Sequence, residues 1–381
     1  MLEIIKKEQC CGCAACVQIC PKKCIKMKED SEGFLYPEVD HSFCVDCGRC
    51  ESVCPVQNAK VCGDKVQKTY VAYANDEAMR LTSSSGGIFT LLAEQVLKNG
   101  GMVFGAAFDD SFMVHHIGVK SSGDLERLRG SKYLQSRIEN TYIETKEALK
   151  AGKTILYTGT ACQIAGLHHF LEKDYENLYT VDVLCHGVPS PKLWDKYLKE
   201  QSELNGGNLQ QTSFRQKTFG WKDFSMELQF SNSKTYEKIF KEDSFMKLFL
   251  RNICLRPSCH DCKFKKLERL SDLSIGDCWG IQNYMPNMDD DKGTSVVLIH
   301  SEKGAKLFDA VADGMVFCEA ETERALPPTA DSRKSVPVHP NRSKFFKKLN
   351  KNSSVADLVA LLTPSIWFKA KRKAKHFLRR K

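Results

Sequence analysis

The sequence has no apolar run of the roughly 18 residues that a bilayer-crossing helix needs; even 154–167 is broken by Thr158, Gly159 and Gln163. Its opening, Met1-Leu-Glu-Ile-Ile-Lys-Lys, has no apolar signal segment behind the charges, so the expected location is cytoplasmic. A basic face is missing too. Of the net charge of +9, eight cations fall in 369–381, which holds no acid, and the remainder sums to +1. A body so nearly neutral offers no general nucleic-acid-binding surface. Nor is there a solenoid, because the one plain repeat occurs only twice and a stacked array needs at least three copies. What the chain does have is cysteine, 18 in 381 residues. In a reducing compartment thiols at that density are expected to be metal ligands, not disulfides. The length and the 42% hydrophobic content allow a small domain plus one large core.

The repeat is Cys10-Cys-Gly-Cys-Ala-Ala-Cys-Val-Gln-Ile-Cys-Pro, matched 34 positions later by Cys44-Val-Asp-Cys-Gly-Arg-Cys-Glu-Ser-Val-Cys-Pro. Both copies follow C-x2-C-x2-C-x3-C-P, the run that wraps thiolates around a 4Fe-4S cluster, its fourth Cys crossing to the other cluster. One cluster is therefore assigned to Cys10, Cys13, Cys16 and Cys54, and the other to Cys44, Cys47, Cys50 and Cys20. Cys11 and Cys24 stand outside the runs and are read as bystanders. Zinc knuckles would be more loosely spaced. Residues 1–58 thus form a two-cluster ferredoxin domain that relays single electrons, followed by a polar linker at 59–69.

From residue 70 strand-like runs (70–74, 102–108, 154–158, 178–184) alternate with helical ones (87–98, 139–150, 163–171, 192–200). Further strand candidates at 224–230, 273–276 and 295–300 follow another rhythm. The expected fold class is α+β to α/β: a mixed sheet with helices on its faces over 70–345, then a basic helical tail over 346–381.

Four more cysteines stand beside turn-forming residues: Cys162, Cys185, and the pair Cys259 and Cys262 in Pro257-Ser-Cys-His-Asp-Cys. The first two follow predicted strands, whose ends in such a sheet face one crevice. A metal shared by all four is one reading. A structural zinc at Cys259 and Cys262, or unrelated buried thiols at Cys162 and Cys185, are the others, with Cys254 and Cys278 as rival ligands.

Ser84, Ser85, Gly86 and Gly87 lead into a predicted helix and offer N–H groups to an anion, although an ordinary Ser N-cap has the same signature. Gly130, Ser131, Lys132 and Tyr133 form a second candidate loop, in which Lys132 balances a diphosphate or another developing negative charge, or is simply solvated. His186 is a candidate proton acceptor, against the plain reading of a packed or surface imidazole. Lys217, Trp221 and Lys222 either cover a planar anion or belong to a hairpin with Trp221 in the core.

Ser83-Ser-Ser-Gly-Gly-Ile-Phe, Arg129-Gly-Ser-Lys-Tyr-Leu-Gln-Ser, Gly159-Thr-Ala-Cys-Gln-Ile-Ala-Gly-Leu, Asp182-Val-Leu-Cys-His-Gly-Val-Pro-Ser-Pro and Ser274-Ile-Gly-Asp-Cys-Trp-Gly occur in this order. Together they resemble the family of coenzyme F420 hydrogenase/dehydrogenase beta subunits, in its bacterial branch with a fused ferredoxin domain. The resemblance spans about residues 1 to 340. It implies a flavoprotein oxidoreductase with FAD beside a third 4Fe-4S cluster held by Cys162, Cys185, Cys259 and Cys262, exchanging hydride with a deazaflavin or related partner. Ala161 departs from the usual Pro, and Cys278 from the usual aromatic residue before Trp279.

The expected function is an iron–sulfur flavoprotein that couples hydride chemistry to one-electron transfer, with ferredoxin or a deazaflavin as donor. The alternatives are a non-catalytic ferredoxin-type carrier for a partner enzyme and a reductase serving polysaccharide biosynthesis. In the tail, Ile366, Trp367, Ala370, Ala374, Phe377 and Leu378 share one helical face amid cations. That pattern suits peripheral contact with an anionic membrane, or a soluble tail.

Overall fold

The computed structural model describes residues 6–58 and 65–363, so the basic amphipathic face expected over 366–378 lies outside the described residues. The first of these segments holds the helices Ala15–Ile19 and Arg49–Ser52 and, between them, an antiparallel hairpin of β1 (Ile25–Glu29) and β2 (Leu35–Val39). The two cysteine runs are true structural repeats. Gly12 and Asp46, 34 residues apart, both take positive φ, as do Ala14 and Gly48, which start the two helices.

The body is built on an eight-stranded sheet. It takes β3 (Lys68–Ala74), β4 (Met102–Phe108), β5 (Val114–Val119), β6 (Ile155–Thr160) and β7 (Leu178–Val183). A three-stranded side sheet of β8 (Leu209–Gln216), β9 (Ser225–Phe230) and β10 (Thr235–Ile239) intervenes, and β11 (Leu273–Asp277), β12 (Ser295–Ile299) and β13 (Met315–Glu319) complete the main sheet. Its order is β13-β3-β12-β11-β7-β6-β4-β5. The mixed α/β class expected from the sequence is the class observed. Central strands are apolar because both faces are covered: all five residues of β12 are buried.

Alternation along the strands divides the core. Val103 and Leu156 face the helix Ile88–Lys98, while Phe104, Ile155 and Tyr157 face the helices Thr141–Lys150 and Ala161–Leu171. The N-terminal module is packed into this second layer, where Cys13, Ala15, Ile19 and Val53 join the same core. A further core under the side sheet takes in Phe34 from the module's hairpin, whose ring meets Phe346 edge-on at 6.4 Å. Gly33, at φ +89°, lets that hairpin turn lie against Lys192, whose Cβ is only 2.5 Å from where a side chain at 33 would begin. The packed body runs beyond the expected boundary at 345, since Leu349, Val355, Leu358 and Leu361 are all core residues. Likewise β3 begins at Lys68, within the stretch expected to be linker. No helix among the described residues is long and apolar enough to cross a membrane.

Candidate functional site

β4, β6, β7 and β11 run parallel, and β3 shares their direction because β12 is antiparallel to both β11 and β3. Five strands therefore deliver their C-terminal ends to one edge of the sheet. Residues 83–87 come after β3, Cys162 after β6, Cys185 and His186 after β7, and Cys278 and Trp279 after β11. The sequence motifs, scattered over two hundred residues, meet there because the crossovers return each strand in the same sense.

In the module, the Cys16 thiol lies close enough to feel Cys10, Cys54 and Cys50, and the Cys13 thiol to feel Cys10 and Cys16. This brings together the first predicted set, Cys10, Cys13, Cys16 and Cys54. Cys20, Cys44, Cys47 and Cys50, the second set, line one pocket together with Cys24, whose Sγ is 3.5 Å from that of Cys20. Burial pushes the Cys16 thiol well up, and burial with the neighbouring Cys20 takes Cys24 to about 11. Thiols so placed become thiolates only when a metal compensates.

A second pocket is lined by Cys162, Cys185, Cys259 and Cys262, and by a fifth thiol, Cys11 of the module. Cys162 occupies the first turn of the helix Ala161–Leu171, capped by Thr160, whose hydroxyl lies 3.1 Å from the Cys162 sulfur. Buried Asp182 takes Arg269 at 3.3 Å and Ser271 at 2.8 Å, which fixes the segment after Cys262 against the end of β7. Lys265 donates to the carbonyl of His186 at 2.8 Å and so closes the pocket wall. Cys11 stands beside both Cys13 and Cys162, joining the first thiol set to this one. The neighbouring Cys11 thiol, followed by burial, raises the Cys162 thiol; burial leads for Cys185, Cys262 and Cys259, the last rising to about 12. Among the described residues no three His, Cys, Asp or Glu side chains stand in single-ion geometry. The thiols surround a space and not a point.

The two rival thiols are elsewhere. Cys254 is fully buried among Leu255 and Ile253, and Cys278 bonds the Tyr284 hydroxyl at 2.9 Å inside a separate core with Trp221 and Ile281. Neither lines the pocket.

The two glycine loops predicted from sequence are in contact, with Ser131 N donating to the Ser84 hydroxyl at 2.7 Å. Other groups of the first loop are taken by the fold: Ser85 Oγ donates to Thr294 O at 3.1 Å and Gly86 N to Ser295 Oγ at 3.0 Å. Gly87, at φ +88°, starts the helix Ile88–Lys98. Gly130 faces open space. Lys132 Nζ donates to the carbonyls of Arg129 and Gly130 at 2.8 and 3.2 Å, and desolvation pushes it down to about 7. Tyr133 OH accepts from Arg215, which pairs with Asp277 at 2.7 Å. Beside that pair Trp279, 47% exposed, stacks on Trp221 at 4.7 Å.

Trp221 is itself fully buried and Lys217 donates to the carbonyls of Arg80, Ser85 and Lys292, so the cover imagined over 217–222 is core and loop anchor. Within that segment it is Phe219, 57% exposed, that faces solvent, and Trp279, which pattern alone did not single out, is exposed as well. His186 has both ring nitrogens engaged, with Asn252 at 2.7 Å and Asp331 at 3.0 Å.

Residues 69–142 match the family model for the N-terminal part of coenzyme F420 hydrogenase/dehydrogenase, beta subunit, and residues 152–324 match its C-terminal counterpart. The two halves occur in order and together span well over half of the chain. The chain belongs to the family of coenzyme F420 hydrogenase/dehydrogenase beta subunits. Residues 9–58 match the 4Fe-4S dicluster domain, so this family member is an iron–sulfur oxidoreductase with an electron-transfer module at its N-terminus. It is 22% identical over 330 residues to a subunit of the F420H2 dehydrogenase of Methanosarcina mazei, covering 83% of this chain and 86% of that one. Over 51 residues, 13% of this chain and 59% of the other, it is 47% identical to a 7Fe ferredoxin of Hydrogenibacillus schlegelii. A chain of the F420-reducing NiFe hydrogenase complex from Methanosarcina barkeri is 20% identical, with a TM-score of 0.46 over 78% of this chain and 90% of that one.

Proposed function

We propose that this family member couples two-electron hydride chemistry at a bound FAD to one-electron transfer through three 4Fe-4S clusters, with ferredoxin or a deazaflavin as electron donor. The observation that carries the reading is the convergence of Cys162, Cys185, Cys259 and Cys262 on one pocket into which Cys11 also projects. A thiol-lined space without single-ion geometry suits a multi-iron cluster better than zinc, and Cys11 makes it continuous with the module. The ligand sets are then Cys10, Cys13, Cys16 and Cys54; Cys44, Cys47, Cys50 and Cys20; and Cys162, Cys185, Cys259 and Cys262.

Ser84, Gly130, Ser131, Lys132 and Tyr133 are the residues suited to hold FAD, with Ser85, Gly86 and Gly87 shaping the loop beneath them. The fit rests on the Ser84–Ser131 contact, the open side of Gly130 and the adjoining Trp279 surface. When bound, the flavin supplies the conversion between paired and single electrons. Lys132 is the better placed proton carrier, because a neutral amine still has two N–H groups for its two carbonyl acceptors. His186 has to release Asn252 or Asp331 before either nitrogen is free. The name of the M. mazei relative, a subunit of an F420H2 dehydrogenase, suggests that this chain, too, works with other subunits on a deazaflavin.

Anaerobic purification with iron analysis and an optical spectrum tests the reading. About twelve irons per chain, four per cluster, with flavin bands are expected. Eight irons and no flavin would overturn it in favour of a ferredoxin-type carrier.

A further inference from the structure

Arg256 is fully buried, yet among the described residues no carboxylate lies within 4 Å of it. Its guanidinium is spread over the module. Nε donates to Cys10 O at 2.9 Å, Nη2 to Leu35 O at 3.0 Å and towards the Cys10 sulfur at 3.5 Å, and Nη1 to Gln135 Oε1 at 2.8 Å. The Tyr36 ring covers one face at 4.2 Å. Its backbone belongs to the other side, because Arg256 immediately precedes the turn Pro257–Asp261 that carries Cys259, and its side chain lines the five-thiol pocket. Gly12, at φ +73°, is held bare by this packing: a Cβ there would lie 3.1 Å from Arg256 Nη1 and 2.2 Å from Gln135 Nε2.

A guanidinium cannot shed its proton, and a buried cation without a counter-charge costs several kcal/mol. The neutral carbonyls and amide around Arg256 satisfy its hydrogen bonds but not its charge. The anions available are cysteine thiolates. A 4Fe-4S cluster on four thiolates is net negative and gains one more negative charge on reduction, so an adjacent cation and an N–H to sulfur contact favour the reduced form.

We infer that Arg256 is a positioning residue whose guanidinium is the counter-charge of the iron–sulfur cluster at Cys10, Cys13, Cys16 and Cys54, raising its reduction potential where the module meets the body. The inference rests on the cluster assignment of the proposed function. It makes no use of the flavin or of the third cluster.

The test is a redox titration of the anaerobically reconstituted full chain, followed by electron paramagnetic resonance. In Arg256→Gln, the reduced-to-oxidised ratio of one module cluster, read at its wild-type midpoint, should fall about tenfold, or ~59 mV for one electron. The cluster at Cys20, Cys44, Cys47 and Cys50 should not move, and Arg256→Lys should keep most of the wild-type potential. An unshifted midpoint in Arg256→Gln, at full iron content, overturns the inference. If that variant fails to retain iron, Gln135→Glu serves instead: an anion 2.8 Å from Nη1 should lower the same midpoint, and no change there is equally fatal. Failure of the broader reading is seen separately, in the iron and flavin content of the wild type.

Discussion

The two halves of the N-terminal module are the same motif in opposite surroundings. Cys13 is buried in the body's core while its repeat equivalent, Cys47, is exposed. Ala15 is fully buried where Arg49 makes a half-exposed ion pair with Glu172 of the body at 3.2 Å, and Cys11 faces the five-thiol pocket where Val45 is 57% exposed. Since the repeat itself demands only the ligand spacing, the positions that differ report what each half is turned towards. One half turns its ligand loop inward, whereas the other touches the body through Arg49 and Val53 and leaves its ligand loop open to solvent.

The largest expected difference between them is chemical. Under slow air oxidation the outer cluster should go first, so iron should leave in two phases with about four atoms per chain in the fast one. Iron analysis against time, with the resonance signals followed in parallel, measures this. Single-phase loss of all iron would erase the distinction between the halves. Next comes the hairpin that ties the inner side down. Phe34→Ala removes a fully buried ring that packs on Phe346 and should cost about 3–5 kcal/mol in anaerobic denaturant unfolding. Phe43, 67% exposed in the outer half, is the matched control, and its Ala variant should stay within about 0.5 kcal/mol of wild type.

Gly166→Val attacks the same contact from the body. A side chain at 166 would begin 2.8 Å from Cys13 Cβ and 2.9 Å from Tyr142 OH, so the helix Ala161–Leu171 and the module would have to part. Overpacking of this kind should cost about 1–3 kcal/mol, and it should disturb the resonance of the inner cluster while sparing the outer one. Equal broadening of both signals would mean that the module responds as one body.

Much of this was legible in the sequence, for identifiable reasons. The β4 run matches its predicted span and the other central strands do so to within two residues, because strands covered on both faces are built on apolar runs that polar residues interrupt only near their ends. The strands without such a run, β1, β2, β5, β8, β10 and β13, went unread: β8 is Leu-Gln-Gln-Thr-Ser-Phe-Arg-Gln, and four of the five residues of β13 are exposed at the edge of the sheet. Cysteine spacing identified the two runs since a cluster imposes local geometry. It could not identify Cys11 or Arg256, whose significance lies in which neighbour they face after folding. No local pattern distinguishes Arg256 from the other Arg residues, and only the packing of 10–12, 35 and 135 around it does so.

The smallest effect tests the comparison at its most sensitive point. Val45→Ser changes the position equivalent to Cys11, on the rim of the outer thiol pocket. If the outer half is bare, a polar side chain at a site already open to water should shift stability by no more than about 0.5 kcal/mol and leave the iron content unchanged. The difference between the halves would then rest entirely on what covers the inner one. A loss above about 1 kcal/mol, beyond what an uncovered surface position normally yields, would instead mean that Val45 is buried in the assembled protein and that the outer half has a cover of its own.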